Sequence, residues 1–344
     1  HPASDPSPRQ PLPHPDRPRS LTVRPPAVVL GVEQAGFRHV ALVEYKAEAC
    51  ETLRLNRPAW KVFEKDLREF KPEQDAGLSS VDLLAGGVPC TPYSIAGQQK
   101  GTNDERDLLP TALRLVKILR PRALMLENVK TLAQSKNFAT VRQHITNELV
   151  ALGYEVHIRV LDAKDFGVPQ TRKRTLIVAV QQGLRKFQWP TGNWELPQTV
   201  GEILLDSMKS RGWPGADEWA HLAGDIAPTI VGGSEKHGGG DLGPDRAKRQ
   251  WAELAVNGDS TIGEVPGPDF VLQHGVGRGG WKGYPKLTPE QVALLQGFPA
   301  DWKFAGSRTA RYRQIGNAFP PPVAHAVASE IAQVLLDSPQ SAAA

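Results

Sequence analysis

The stretch Val81-Asp82-Leu83-Leu84-Ala85-Gly86-Gly87-Val88-Pro89-Cys90-Thr91-Pro92-Tyr93-Ser94 decides how this chain is read. Its first five residues make a short, mostly apolar run, as a buried β-strand requires. The glycines and proline that follow end the strand and open a loop. Cys90 therefore falls just past the carboxyl end of a strand. A second run, Ala123-Leu124-Met125-Leu126, leads into Glu127-Asn128-Val129 and puts a carboxylate in the equivalent place. Ligands of open α/β sheets bind at that edge. A thiol nucleophile beside a carboxyl proton donor suits addition to an electron-poor ring.

Outward from this pair the chain alternates. Val40 to Tyr45 reads as a strand and Ala47 to Asn56 as a helix, and Val62-Phe63 leads to a further strand-to-loop junction at Asp66-Leu67. Leu108 to Leu119 is an amphipathic helix stopped before Pro121, and Phe138 to Leu152 is another, ending at Gly153. Tyr154 to Leu161 and Thr175 to Val180 are rich in β-branched residues and read as strands. Strands alternating with helices predict an α/β fold, a mainly parallel sheet with helices on both faces. After about Gly183 the pattern gives way to Trp, Gly and Pro. Regularity returns where Thr288 is placed to cap a helix starting at Pro289, and Pro322 to Leu336 forms a last amphipathic helix.

With 344 residues the chain can bury one large core and a smaller lobe. Hydrophobic residues at 40% and charged residues at 23% are ordinary for a soluble protein, and no run is long enough to span a bilayer. A formal charge of +4 permits nucleic-acid binding without requiring it. Two cysteines, Cys50 and Cys90, supply neither a disulfide framework nor a zinc set, which points to a reducing, intracellular setting without a metal.

Pro89-Cys90 with Tyr93-Ser94, then Glu127-Asn128-Val129, then Gln170-Thr171-Arg172-Lys173-Arg174, then Gln314-Ile315-Gly316-Asn317-Ala318-Phe319-Pro320-Pro321 together resemble the ordered motif set of the cytosine-C5 DNA methyltransferases. Each motif alone is weak, but four in order, with a long variable stretch before the last, are specific. The resemblance runs from about Leu30 to the last helix. It implies a Rossmann-like, S-adenosylmethionine-dependent methyltransferase sheet with a smaller target-recognition lobe, of bacterial restriction–modification type. The expected division is a disordered Pro/Arg-rich segment over 1–20, a catalytic domain over 21–185, a target-recognition domain over 186–285 and a return segment over 286–340. A cytoplasmic monomer acting on double-stranded DNA is expected, beside a cognate endonuclease.

The same resemblance implies roles residue by residue. Cys90 is the nucleophile toward C6 of the target cytosine, flanked by Pro89. Glu127, beside Asn128, is the acid at N3. Arg172 lies near the base and Arg174 orders the site. Glu44 meets the ribose of the methyl donor, Asp66 and Leu67 its adenine with Tyr45 stacking, and Asn317 and Ala318, with Pro89, its methionine end. Cys50, within a helix, reads as core. Lys236, His237, Arg246, Lys248, Arg249, Arg278 and Lys282 are candidates for contact with DNA.

Three departures and rivals bear on activity. Thr91 and Tyr93 stand where many relatives carry Gln and Phe. Thr22, Arg24, Pro26 and Ala27 stand where the family has an aromatic and a glycine-rich cofactor loop, an expected sign of a frame disruption before codon 30; the opening His1 suggests a fragment or a misassigned start. That makes a catalytically impaired, DNA-binding member the alternative. RNA-modifying relatives carry a further cysteine in the recognition region, and none follows Cys90 here, which favours DNA. A cysteine hydrolase would need a histidine within reach of the thiol, and no His motif flanks the nearby strand ends.

Overall fold

The computed structural model describes residues 17–23, 26–88, 108–192, 197–232 and 240–337. Seven strands form one sheet: β1 Arg19–Val23, β2 Arg38–Glu44, β3 Val62–Glu64, β4 Leu83–Gly87, β5 Ala123–Val129, β6 Tyr154–Asp162 and β7 Lys173–Gln181. Their spatial order is β3-β2-β1-β4-β5-β7-β6. The first five are parallel, and β7 runs antiparallel to both β5 and β6.

Period-two alternation along the strands distributes side chains to two apolar layers. Leu84, Leu124, Leu126 and Ile177 pack with the helices Leu109–Leu119 and Ala139–Ala151 on one face. Leu83, Ala85, Met125 and Val178 pack on the other with the helices Pro26–Gln34 and Pro321–Leu336. The expected helix ends are visible in the backbone. Arg120 turns left-handed at φ 44 ahead of Pro121, and Gly153 does so at φ 85. Thr288 Oγ1 accepts from the Gln291 N–H while Gln291 returns a bond to the Thr288 N–H, closing a capping box.

β1 begins at Arg19, inside the segment expected to lack structure. The reason is local. Ser20 Oγ lies 2.8 Å and Thr22 Oγ1 3.4 Å from Nδ1 of the buried His39, so polar residues are satisfied within a central strand that composition alone marks as loop. Burial pulls His39 down to about 4, so it is neutral and donates from Nε2 to the Val29 carbonyl at 2.8 Å.

Beyond β7 the described chain is helical and irregular, with the helices Val200–Lys209, Ala216–Leu222 and Asp245–Glu253. Trp219 and Trp251 are fully buried there. They share a core with Leu287, Val292, Tyr312 and Ile315 from the helices Pro289–Leu295 and Arg308–Asn317 and their approach, so the return segment completes this lobe as well as rejoining the sheet. No helix among the described residues is long and apolar enough to cross a membrane.

Candidate active site

After β1 the chain winds toward β2 and β3; from β4 it winds the opposite way. The carboxyl edge between these halves is a topological switch point, where the loops diverge and leave a crevice. A cavity of about 730 Å³ lies there, lined by Glu44 and Tyr45 after β2, Gly87 and Val88 after β4, and Glu127 and Asn128 in β5. β7 closes it from the other side. Because β7 is antiparallel, its amino end lies at the carboxyl edge of β5, which brings Arg172 and Arg174 into the same cavity.

Glu127 stands in register with Gly87 and is largely enclosed; its Oε1 lies 3.0 Å from Arg174 Nε. Burial raises the carboxyl above the ordinary glutamate range, and the charges of Arg174 and Arg172 pull it back only in part. Asn128 Nδ2 donates to the Val88 carbonyl at 2.7 Å, while its Oδ1 accepts from the Val129 N–H at 2.8 Å. The end of β5 is thereby tied to the last described residue before Pro89 and Cys90. Those two lie outside the described residues, with Thr91, Tyr93, Ser94, Lys236 and His237.

Both arginines reach the cavity wall, through different contacts. Arg174 is the one that meets Glu127. Arg172, 2% exposed, instead bridges three carbonyls: Nη1 donates to Ile230 at 2.6 Å, and Nη2 to Gly316 and Ala318 at 2.9 Å each. Burial lowers it to about 9, so it stays charged near neutrality. Gln170 and Gln296, both fully buried, extend this clamp. Gln170 donates to Gln296 Oε1 and to the Leu295 carbonyl and accepts from the Ile230 N–H; Gln296 donates to the Ala318 carbonyl. Gln296, Ile230 and Gly232 escaped the sequence reading, because a lone glutamine after a helix and a small apolar–glycine stretch carry no chemical signature.

Glu44 is 6% exposed, and its Oε1 accepts from the Tyr45 and Lys46 N–H groups at 2.9 and 3.0 Å. Tyr45 is half exposed at the cavity wall, with Lys46 Nζ 5.7 Å from its ring centre. Asn317 also lines the cavity, against Gly232, where an added Cβ would fall 2.2 Å from Asn317 Oδ1. Ala318 is buried behind it and contributes its carbonyl to the clamp. Asp66 and Leu67 are not among the described residues that line this cavity. Leu67 belongs to the core, and Asp66 is held by Arg68 at 2.6 Å. Cys50 is buried, its thiol 3.3 Å from the Glu44 carbonyl and pushed up to about 12 by burial and the Glu44 charge. It is a core residue, as expected.

The C-5 cytosine-specific DNA methylase family model matches residues 27–333. The type II methyltransferase M.NaeI of Lentzea aerocolonigenes is 49% identical over 311 residues, 89% of this chain and 72% of that protein. M.NgoMIV of Neisseria gonorrhoeae is 46% identical over 309 residues, 89% of this chain and 94% of that protein. Among solved structures, the S. pombe Dnmt2 methyltransferase superposes with a TM-score of 0.63 at 18% identity, covering 93% of this chain and 99% of its own. The Entamoeba histolytica methyltransferase EhMeth does so with a TM-score of 0.61 at 15% identity and the same coverages, so both share the fold. An α/β sheet with a carboxyl-edge crevice, a family match along nearly its whole length and two relatives near half identity agree: this chain belongs to the C-5 cytosine-specific DNA methylases.

Proposed function

We propose that the chain methylates C5 of a cytosine in a specific double-stranded DNA sequence, as the modification partner of a restriction endonuclease, with S-adenosylmethionine as methyl donor. One observation carries this: a buried carboxyl, Glu127, is held by Arg174 at the sheet edge, and its neighbour Asn128 grips the residue that leads into Pro89-Cys90. In duplex DNA the edge of cytosine is stacked and paired, so the base is flipped into the crevice before reaction.

Cys90 Sγ forms a bond to C6, and the ring electrons move toward N3 and C5. Glu127 supplies a proton to N3, which its raised pKa favours. Arg174 neutralises the carboxylate left behind. When bound, the methyl donor supplies an electrophilic methyl group for C5. Loss of the C5 proton to solvent, departure of the Cys90 thiolate and return of the N3 proton to the Glu127 carboxylate then restore the neutral aromatic ring and the acid. The cavity suits a nucleoside donor: Glu44 presents a carboxylate fixed by two backbone N–H groups where ribose hydroxyls need an acceptor, and Asn317 stands on the opposite wall.

DNA containing 5-fluorocytosine tests the scheme, because fluorine cannot leave C5 as a proton does. A covalent complex is expected that Cys90→Ala abolishes and Cys50→Ala preserves. An adduct surviving Cys90→Ala removes the mechanism. A second reading, impaired donor binding, rests on the sequence, where Arg24, Pro26 and Ala27 stand in the place of the family's glycine-rich cofactor loop. Side chains there, and a proline without an N–H, oppose close approach of a ligand to the backbone. Calorimetry with S-adenosylmethionine is expected to give at least about tenfold weaker binding than M.NgoMIV gives, the ratio that about 1.4 kcal/mol produces. Equal affinity eliminates this reading.

A further inference from the structure

The stretch from Phe270 to Pro289 contains no Asp or Glu, yet carries Arg278, Lys282 and Lys286. Within it, residues 273–283 form a narrow loop. The Gln273 N–H donates to the Gly283 carbonyl, the Lys282 N–H to Val276 and the Gly280 N–H to Gly277. Arg278 sits exposed at the tip. Gly277 and Gly279 flank it with φ +73 and +86, and a Cβ on Gly279 would fall 2.2 Å from the Trp281 ring. Its neighbours Gly277, Gly279 and Gly280 add no side chains to the tip, which the Lys282 stem and the Trp281 ring back from within the loop.

The base of the loop is firmly held. Trp281, 6% exposed, donates from Nε1 to Asp259 at 3.0 Å. His274 Nδ1 lies 3.1 Å from the Tyr284 hydroxyl. Asp259 shares Lys248 with Asp241, at 3.4 and 3.7 Å. Gly240, beside Asp241, packs on Tyr312 in the helix that carries Asn317 at the crevice. The loop is thus anchored through the recognition lobe to the wall of the active site. Lys248, one of the candidate DNA contacts, is thus already paired with two carboxylates.

We infer that Arg278 reads a guanine edge of the target duplex, from the tip of this anchored loop placed in the major groove. This rests on the DNA-methylation reading above. The planar fork of an arginine matches the O6 and N7 acceptors of guanine, whereas a lysine offers only a point charge. A slender, acid-free tip can enter a groove about 12 Å wide. Lys282, exposed on the flank, and Arg246 and Arg249, exposed on the helix Asp245–Glu253, are left to meet phosphates.

The test is selection of bound duplexes from a randomised pool by the full chain, by Arg278→Ala and by Arg278→Lys. The wild type is expected to enrich one sequence. Arg278→Ala is expected to lose roughly tenfold to hundredfold discrimination at a single guanine position and to keep the others. Arg278→Lys should lose the same guanine while retaining overall affinity. Unchanged preference in Arg278→Ala overturns the inference. So does uniform weakening over all sequences with the log–log salt slope reduced by about 1, the mark of a phosphate contact. A wild-type pool without preference also overturns it, and the 5-fluorocytosine adduct then still decides the methyl-transfer reading independently.

Discussion

Burial and charge pull the Glu127 carboxyl in opposite directions. Enclosure favours its neutral form, while Arg174 at 3.0 Å and the more distant charge of Arg172 favour the anion; burial prevails and the pKa is raised. The proposed role, handing a proton to N3, benefits from this, since a raised pKa leaves more of the acid protonated. The sign of a mutation follows. Arg174→Met removes a cation that stabilises the carboxylate, so the pKa of Glu127 rises further and the acid form persists to higher pH. The alkaline limb of the rate of adduct formation is therefore expected to move upward in Arg174→Met and to stay near the wild-type position in Arg174→Lys. Glu127→Gln should lower the rate roughly 10²- to 10⁴-fold. An alkaline limb unmoved by Arg174→Met would separate Arg174 from the titration of the acid.

At the scale of elements, the direction of β7 decides which residues meet. Sequence alone marks Tyr154 to Leu161 and Thr175 to Val180 as strands, but period and composition do not reveal that β6 and β7 form an antiparallel pair. Reversal of β7 is what delivers Arg172 and Arg174 to the carboxyl edge. The apolar runs of β2, β4 and β5 were legible as a local signal, but their ends were not: β4 runs on through Gly86 and Gly87, which read as loop, and β5 continues through Glu127 to Val129, because strand pairing on both sides carries the backbone past the apolar residues. The clamp was not: Arg172, Gln296 and the carbonyls of Ile230, Gly316 and Ala318 are brought together from four places in the chain. Nor was β1, whose Ser20 and Thr22 are satisfied only by a histidine on the neighbouring strand. Arg172→Met should remove the charged donor from three buried carbonyls, of which only Ala318 keeps the Gln296 bond, and hydrogen bonds to a charged group are worth about 1.5–3 kcal/mol each. A loss of about 3 kcal/mol or more in urea denaturation is expected, and a loss under about 1 kcal/mol would show that the clamp is dispensable.

The whole molecule has a seam that does not follow the simplest division of the chain. Specificity is proposed to lie in 186–285, yet the core of that lobe also takes Leu287, Val292, Leu295, Tyr312, Ile315 and Ala318 from the return segment. A graft of 186–285 from a relative therefore joins two halves of one close-packed core taken from different proteins, and mismatched volumes in such cores cost about 2–5 kcal/mol. A graft of 186–318 keeps that core together except for Leu30 and Trp60, while its new seams fall against Arg172, whose partners at 230, 316 and 318 are backbone carbonyls that any donor sequence supplies. Both chimeras are expected to bind the DNA sequence of the donor, as selection from a randomised pool would show. The shorter graft should denature at the lower urea concentration. Preference that stays with the catalytic half in both chimeras would place sequence reading outside this lobe, and equal stability of the two would show that the return segment does not share its core.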